Sequence, residues 1–557
     1  MTRKCVWFLF NSGIAENGAV TETTDIGEKM RRRFILIFLA GILFLSGMDP
    51  VFAAGSFDFS HVIEEAEEIS RRPYRDETLH LPEDLAHLTP AQYSDIRFRR
   101  EQGIWYRQDF PFEMQFYHPG GLFNHSVTIY EISDGKVREI PYKFEEFDFG
   151  RNQIDTGRET ADFGYAGFRL HYPLNREDYY DELISFLGAS YFRTMAKGQN
   201  YGLSARGLAI NTAESGPEEF PIFKKFWVER PAKDADSVRI YALLDSESVS
   251  GAYSFTVSPK ADETLVRVNA VLFPRKDIAK PGIAPLTSMF LYGENTKSAF
   301  DDYRPEVHDS DGLLAVNGNG EKIWRPLDNS KHLRLSSFVD DGPKGFGLMQ
   351  RDRNPRDYLD PEAMYEKRPS VWIEPLENWG KGKVQLAELP SVSETNDNVV
   401  AYWVPDEPMR AGGEYRFNYL MHWRDDDTVM PELAKVTATH SGKGGDGLEG
   451  EYLTNRRKFV IDFSGFGTLD AAKEIAAGNI WADISNRAGT ISNVRLMYTP
   501  SINGASLYFD IELNTDITEL RLLLRNKAEN NKVISEVWSY QPVSYTHLRA
   551  HETRGNL

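Results

Sequence analysis

The sequence predicts an all-β protein, with a large N-terminal β-sandwich and a smaller C-terminal immunoglobulin-like β-sandwich. Three observations carry that prediction. From Ile96 onward, short runs rich in Val, Ile, Phe, Tyr and Trp alternate with turn residues, in units of about ten residues that suit sandwiches and barrels. Aromatic residues are 13% of the chain, and such side chains fit pleated surfaces and broad cores. Beyond residue 433 the runs KVTATHSG, RRKFVIDFSG, ISNVRLMYTP, SLYFDIELN and ELRLLLRN have the number and spacing of immunoglobulin-like strands. Cys5 is the single cysteine, so any such domain relies on apolar packing, without a disulfide.

Taken in order, residues 1–29 are polar, mixed and patternless, and read as an upstream extension that is not native to the protein. An export signal follows over 30–54: basic Arg31-Arg32-Arg33, an apolar run over 34–45, and small residues up to Ala53 and Ala54, where cleavage is expected. The apolar run is short for a membrane span, so no stable span is expected once the signal is removed, and the mature protein is expected in the periplasm. Arg31-Arg32-Arg33-Phe34-Ile35 also has a faint twin-arginine character. Residues 57–74 read as a helix, with Val62, Ile63, Ala66 and Ile69 at helical spacing among Glu64, Glu65, Glu67 and Glu68. Residues 81–99 read as a short helix and loop, and 182–195 as including a short helix.

The main domain is expected over 55–426. Its organising stretch is 288–327, SMFLYGENTKSAFDDYRPEVHDSDGLLAVNGNGEKIWRPL. Here acids, aromatics and Gly312, Gly318 and Gly320 are packed together, a mixture suited to a polar, hydroxyl-rich ligand. The alternative is a solvated acidic loop. Asp425-Asp426-Asp427 and Pro431 mark a linker over 427–433, and the immunoglobulin-like domain is expected over 434–542. The tail over 543–557 has no strand period and reads as foreign to the protein, so His547 and His551 are not taken as metal ligands.

Charge and motifs narrow the chemistry. A net charge of −19 argues against nucleic acid, which requires a basic face. No nucleophilic cysteine follows the export signal, and HExxH, GxSxG, GxGxxG and the P-loop spacing are all missing. His308, Asp309 and Asp311 are potential metal ligands, but three so close in sequence seldom converge. Neither metal nor cofactor is expected. Carboxylates remain, as glycoside cleavage commonly uses two. Asp309, in HDSDG, either caps its turn or does chemistry. Asp397, in ETNDNVVAYW, either bonds neighbouring amides or does chemistry. Tyr303, Trp324, Tyr358, Trp372 and Trp379 are candidates for stacking on sugar rings. Arg304 and Arg325 are candidates for hydroxyl recognition, and His308 and Asp311 complete the expected binding set. Tyr191, Arg193, Tyr201 and Arg206 are further candidates to line a groove.

FDDYRPEVHDSDGL followed by GNGEKIWRPL resembles the periplasmic glucan biosynthesis proteins of types G and D, and the resemblance extends over residues 57–541. It implies a galactose-mutarotase-like main sandwich and a ligand that is a glucan with a β-1,2-linked glucose backbone. Some members are inverting endo-β-1,2-glucanases or related transglycosylases, and carried onto this chain Asp397 corresponds to the general acid and Asp309 to the general base. It also implies an alternative: a non-catalytic glucan-binding scaffold that partners the inner-membrane glucan glucosyltransferase. A mutarotase- or lyase-like activity on another sugar is the third reading.

Overall fold

A computed structural model describes residues 56–157, 162–296, 300–425, 429–444, 455–515 and 517–542. The extension over 1–29, the export signal over 30–54, the tail over 543–557 and part of the linker lie outside these residues. Among the described residues the protein is all-β, built on a ten-stranded and a fifteen-stranded sheet with a separate four-stranded sheet near the C-terminus.

The two large sheets face each other across one core. Phe168, Phe186 and Phe192 come from the strands Gly167–Arg176, Tyr179–Leu187 and Tyr191–Thr194 of the ten-stranded sheet. They meet Phe226 and Phe255 of the fifteen-stranded sheet, with ring centroids 5.0 Å apart for Phe168–Phe226 and 5.1 Å for Phe192–Phe255. Each such phenylalanine stabilises the sandwich by about 1.5–3 kcal/mol through burial, and tilted and edge-on contacts add to this. Tyr415–Arg424 alternates buried and part-exposed residues along its length, as a strand with one wet face should. Pro281–Ser288 is buried throughout, because it pairs with Ser204–Arg206, Leu208–Ile210 and Val399–Pro405 and is covered on both faces.

Helices are few and peripheral. Asp58 caps Phe59–Ser70 by accepting the Ser60 N–H at 2.9 Å, and His61 reaches back to the Asp58 N–H. Val62 and Ala66 press onto Trp227, Tyr241 and Ala252 on the outer side of the large sheet. Residues 81–99 hold two short helices, Glu83–Ala86 and Pro90–Ser94. The helix expected within 182–195 is instead a hairpin: Tyr179–Leu187 pairs with Tyr191–Thr194. The reversal uses Gly188 and Ala189, at φ 77° and 42°. The apolar run ELISFL fits either period, and pairing with Gly167–Arg176 makes it a strand.

The C-terminal region has two layers. One is the sheet of Lys435–Lys443, Arg456–Ser464, Thr490–Thr499 and Gly504–Glu512. The other, Ile480–Asn486, Leu520–Asn526 and Val537–Tyr540, continues the fifteen-stranded sheet. The join is parallel, with Ile323 opposite Val537 and Trp324 opposite Trp538. The C-terminal core accordingly takes in Leu314, Val316, Trp324, Met349 and Trp372 from the main sandwich.

Candidate active site

Asp309 and Asp397 are brought together by one short piece of backbone. The chain leaves Pro281–Ser288 of the ten-stranded sheet and makes a two-strand ladder, Phe290–Tyr292 with Val307–His308. It then enters the fifteen-stranded sheet at Gly312–Val316. Where it crosses, the Asp309 N–H donates to the Met289 carbonyl at 2.8 Å. From the other side, the Asn398 N–H donates to the Ser288 carbonyl at 3.0 Å. The Asn398 side chain clamps Phe290, accepting its N–H at 2.8 Å and donating to its carbonyl at 2.9 Å. Thus Asp309 follows one strand end and Asp397 precedes the next, and both flank residues 288–290.

Their electrostatics differ from those of surface aspartates. Asp309 is 7% exposed. Burial raises its pKa, and the guanidinium of Arg368, with Nε 3.4 Å from Asp309 Oδ1, opposes that rise. Asp397 is part-buried, and its Oδ2 is sealed from solvent without a hydrogen-bond partner. Burial, then the charge of Asp309, push Asp397 up to about 7, against the pull of Arg193 and Arg206. Asp397 is therefore poised to hold a proton near neutral pH beside a second carboxylate.

The surroundings are cationic and aromatic. Arg193 lies over the Tyr201 ring at 4.6 Å, and buried Arg206 lies over Tyr191 at 5.4 Å while donating to Glu218 at 2.7 Å. Tyr191 and Arg193 sit on the hairpin, Arg206 on the strand paired with it, and Tyr201 on the loop between them. Arg368, Tyr365 and Glu394 were not singled out by sequence. Tyr365 donates to Glu394 at 2.8 Å, and Arg368 lies over the Tyr365 ring at 5.3 Å. Their signal was weak: Tyr365 and Arg368 precede the strand run SVWIEP, and Glu394 lies in the polar stretch SVSETND, with nothing local to link them.

Other expected binding residues are committed to packing or to ion pairs. Trp324 and Trp372 are buried in the C-terminal core and Trp379 in the main core. Tyr358 is buried against Met289, Tyr292 and Tyr365, and donates to the Asp352 carbonyl. Their faces are spent on packing, and Gly312 shows how tightly: a Cβ there would stand 2.2 Å from the Trp324 ring. Arg325 is buried at the C-terminal join, donating to Glu519, Ser539 and Ser336. Arg304 is a loop knot, its guanidinium shared among Asp302, Asp360 and Glu394 at 2.7–3.1 Å. Tyr303, beside that knot, is 75% exposed.

His308 and Asp311 turn toward the C-terminal join rather than accompany Asp309. His308 is fully buried between Glu306 and Gln350, each 2.9 Å away. Asp311 Oδ2 accepts the N–H groups of Arg351 and Asp352.

The profile of the family described as "Periplasmic glucan biosynthesis protein, MdoG" matches residues 57–542. The chain is 43% identical to glucans biosynthesis protein G of Rhodopseudomonas palustris strain BisA53, over 92% of this chain and 99% of that one. It is 44% identical to glucans biosynthesis protein G of Vibrio cholerae strain O395, over 87% of each chain. Among solved structures, a GH36 α-galactosidase of Geobacillus stearothermophilus superposes with a TM-score of 0.24 at 8% identity, over 41% of this chain and 31% of that one; this lies below the level of a shared fold. The family match and the full-length similarity place the chain in the periplasmic glucan biosynthesis protein family, MdoG.

Proposed function

We propose that this protein is exported to the periplasm, binds β-1,2-linked glucan and cleaves its backbone with inversion. Asp397 is the general acid and Asp309 the general base. The observation that carries this reading is the Asp397 carboxyl: one oxygen is sealed and unpartnered, and the pKa is raised to about 7 beside a second carboxylate. Such a group donates a proton at neutral pH, where an ordinary aspartate has none to give. In the reaction, Asp397 gives its proton to the glycosidic oxygen as the C1–O bond breaks. Asp309 takes a proton from the water whose oxygen joins C1 on the opposite face. With a sugar hydroxyl in place of that water, the same step is transglycosylation. Arg368 counters the burial of Asp309 and favours its ionised, basic form. The basic, apolar and small-residue order over 30–54 supports export.

The test is reducing-end release from linear β-1,2-glucan by wild type, Asp397→Asn and Asp309→Asn, with glucan binding measured by calorimetry. Cleavage by wild type and its loss in both folded variants is expected, with the initial product of inverted anomeric configuration by NMR. Folded variants that cleave like wild type defeat the assignment. A wild type that binds but never cleaves leaves a scaffold, the partner of an inner-membrane glucosyltransferase.

A further inference from the structure

A second group of ionisable side chains lies between the active-site ladder and the C-terminal region, and the cleavage reaction leaves it without a role. Glu306, His308 and Asp352 each offer one donor atom, and these atoms all lie within 4.8 Å of one another. The histidine is set for ligation. Gln350 spends its NH2 on the carbonyls of His308 and Tyr365, at 2.9 and 3.1 Å, so its oxygen faces His308 Nδ1 at 2.9 Å. Nδ1 must therefore carry a hydrogen, and Nε2 faces Glu306 Oε2 at 2.9 Å. An outer acceptor that fixes the ring and tautomer is the usual support of a metal-bound histidine.

A separate observation points to a missing occupant. Asp311, 9% exposed, gives Oδ2 to two backbone N–H groups, yet its Oδ1 is buried with no partner. Its charge bears directly on both Asp352 and His308. Beside it a small cavity opens between Glu294, Asn295, Asp311 and Arg351. Asn295 Oδ1 on that cavity is also buried and unpartnered. Two buried acceptors without partners lie on this cavity, and one of them, Asp311, is joined through Oδ2 to the Asp352 N–H and so to the trio. Arg351 also lines this cavity and its charge acts on Asp311, while its guanidinium donates to Glu536 and the Val436 carbonyl and covers the Trp324 ring.

We infer that Glu306, His308 and Asp352, supported by Asp311 and Glu294, bind one divalent first-row metal ion. One imidazole with several carboxylates favours manganese- or zinc-class ions over calcium. The ion takes the place of the proton between His308 Nε2 and Glu306, which leaves to solvent. Asp352 is the member of the trio that is not fully buried, so the ion enters past it. Because Glu294 also accepts the Thr439 N–H at 2.8 Å, the ion would tie the main sandwich to the C-terminal sheet.

The experiment titrates Mn²⁺ into the chelator-stripped, dialysed full chain and counts free ion by its EPR signal, with thermal melting alongside. One ion bound per chain is expected, with a melting temperature raised by roughly 3–5 °C at saturation. Asp352→Asn is expected to weaken binding at least about tenfold, whereas Asp357→Asn, outside the donor set, binds as wild type does. A wild type that binds no stoichiometric ion overturns the site, whether or not the variants fold. Binding that Asp352→Asn and Glu306→Gln leave unchanged overturns it equally. Calcium held as tightly as manganese overturns the choice of ion, since the histidine would then not be a ligand.

Discussion

Two acidic regions grow from the same six residues, Val307 to Gly312, and their neighbours set them apart. On one side Asp309 and Asp397 are surrounded by arginines: Arg368 at Asp309, with Arg193 and Arg206 acting on Asp397. On the other side Glu294, Glu306, Asp311 and Asp352 gather round His308 and receive backbone N–H groups of Thr439, Arg351 and Asp352. Burial raises one carboxyl of each region strongly, Glu294 to about 8 and Asp397 to about 7. The arginine-lined pair can divide labour, one carboxyl protonated and one ionised. At the junction the neighbouring acids add to burial in raising Glu294 and Asp352.

The largest effect that tests this contrast is catalytic. Asp397→Asn keeps the shape and removes the transferable proton, so β-1,2-glucan cleavage should fall roughly 10²–10⁴-fold, with glucan affinity nearly unchanged. An equal loss from Asp352→Asn would erase the distinction between the regions. Next is Arg351→Ala at the junction. Arg351 pairs with fully buried Glu536 at 2.6 Å and covers the Trp324 ring at 3.6 Å. Glu536 keeps Lys322 Nζ at 3.7 Å and the Val436 N–H at 2.7 Å, so losing the charged hydrogen bonds of Arg351 should lower the stability read from the denaturant midpoint by about 1.5–3 kcal/mol. Cleavage per folded molecule should stay near wild type.

The third effect is one of pH. The folded pKa of Asp397, about 7, lies above its ordinary 3.8, so between those values the folded state binds more protons than the unfolded one. Stability must fall as pH rises through that window, with the cost complete above about pH 7 and absent below about pH 4. Asp397→Asn removes the cost and should be more stable than wild type at pH 8. The full shift sets a ceiling of about 4 kcal/mol, and partial exposure of the residue reduces the expected gain to about 1–2 kcal/mol. Paired denaturant titrations at pH 4 and pH 8 check it. Wild-type cleavage should decline over the same rise, as the acid loses its proton.

Much of the fold was legible because strand period and turn chemistry are local. Tyr415–Arg424 alternates in burial as its sequence alternates in polarity. Less legible was the parallel pairing of Trp324 with Trp538 that carries the large sheet into the C-terminal region, since no local pattern encodes a partner so distant. The candidate site divides the same way. HDSDG and ETNDN stood out as text, but their approach depends on two hydrogen bonds to residues 288 and 289. The tryptophans misled for a physical reason: an indole that stacks on sugar and one that fills a core have the same composition signal, and Gly312 beneath Trp324 is the detail that tells them apart.

The smallest effect concerns Tyr303, which stays 75% exposed between Asp302 and Arg304. Arg304 ties this loop to Glu394, three positions before Asp397, and the exposed ring of Tyr303 lies outside the core. Tyr303→Ala should change stability by no more than about 0.5 kcal/mol. If the ring stacks on a glucose unit, it should weaken β-1,2-glucan binding by about 1 kcal/mol, or roughly fivefold by calorimetry. Mn²⁺ binding at the junction should be untouched. Unchanged glucan affinity would remove Tyr303 from the binding surface and leave recognition to the groups around Arg193, Arg206 and Arg368.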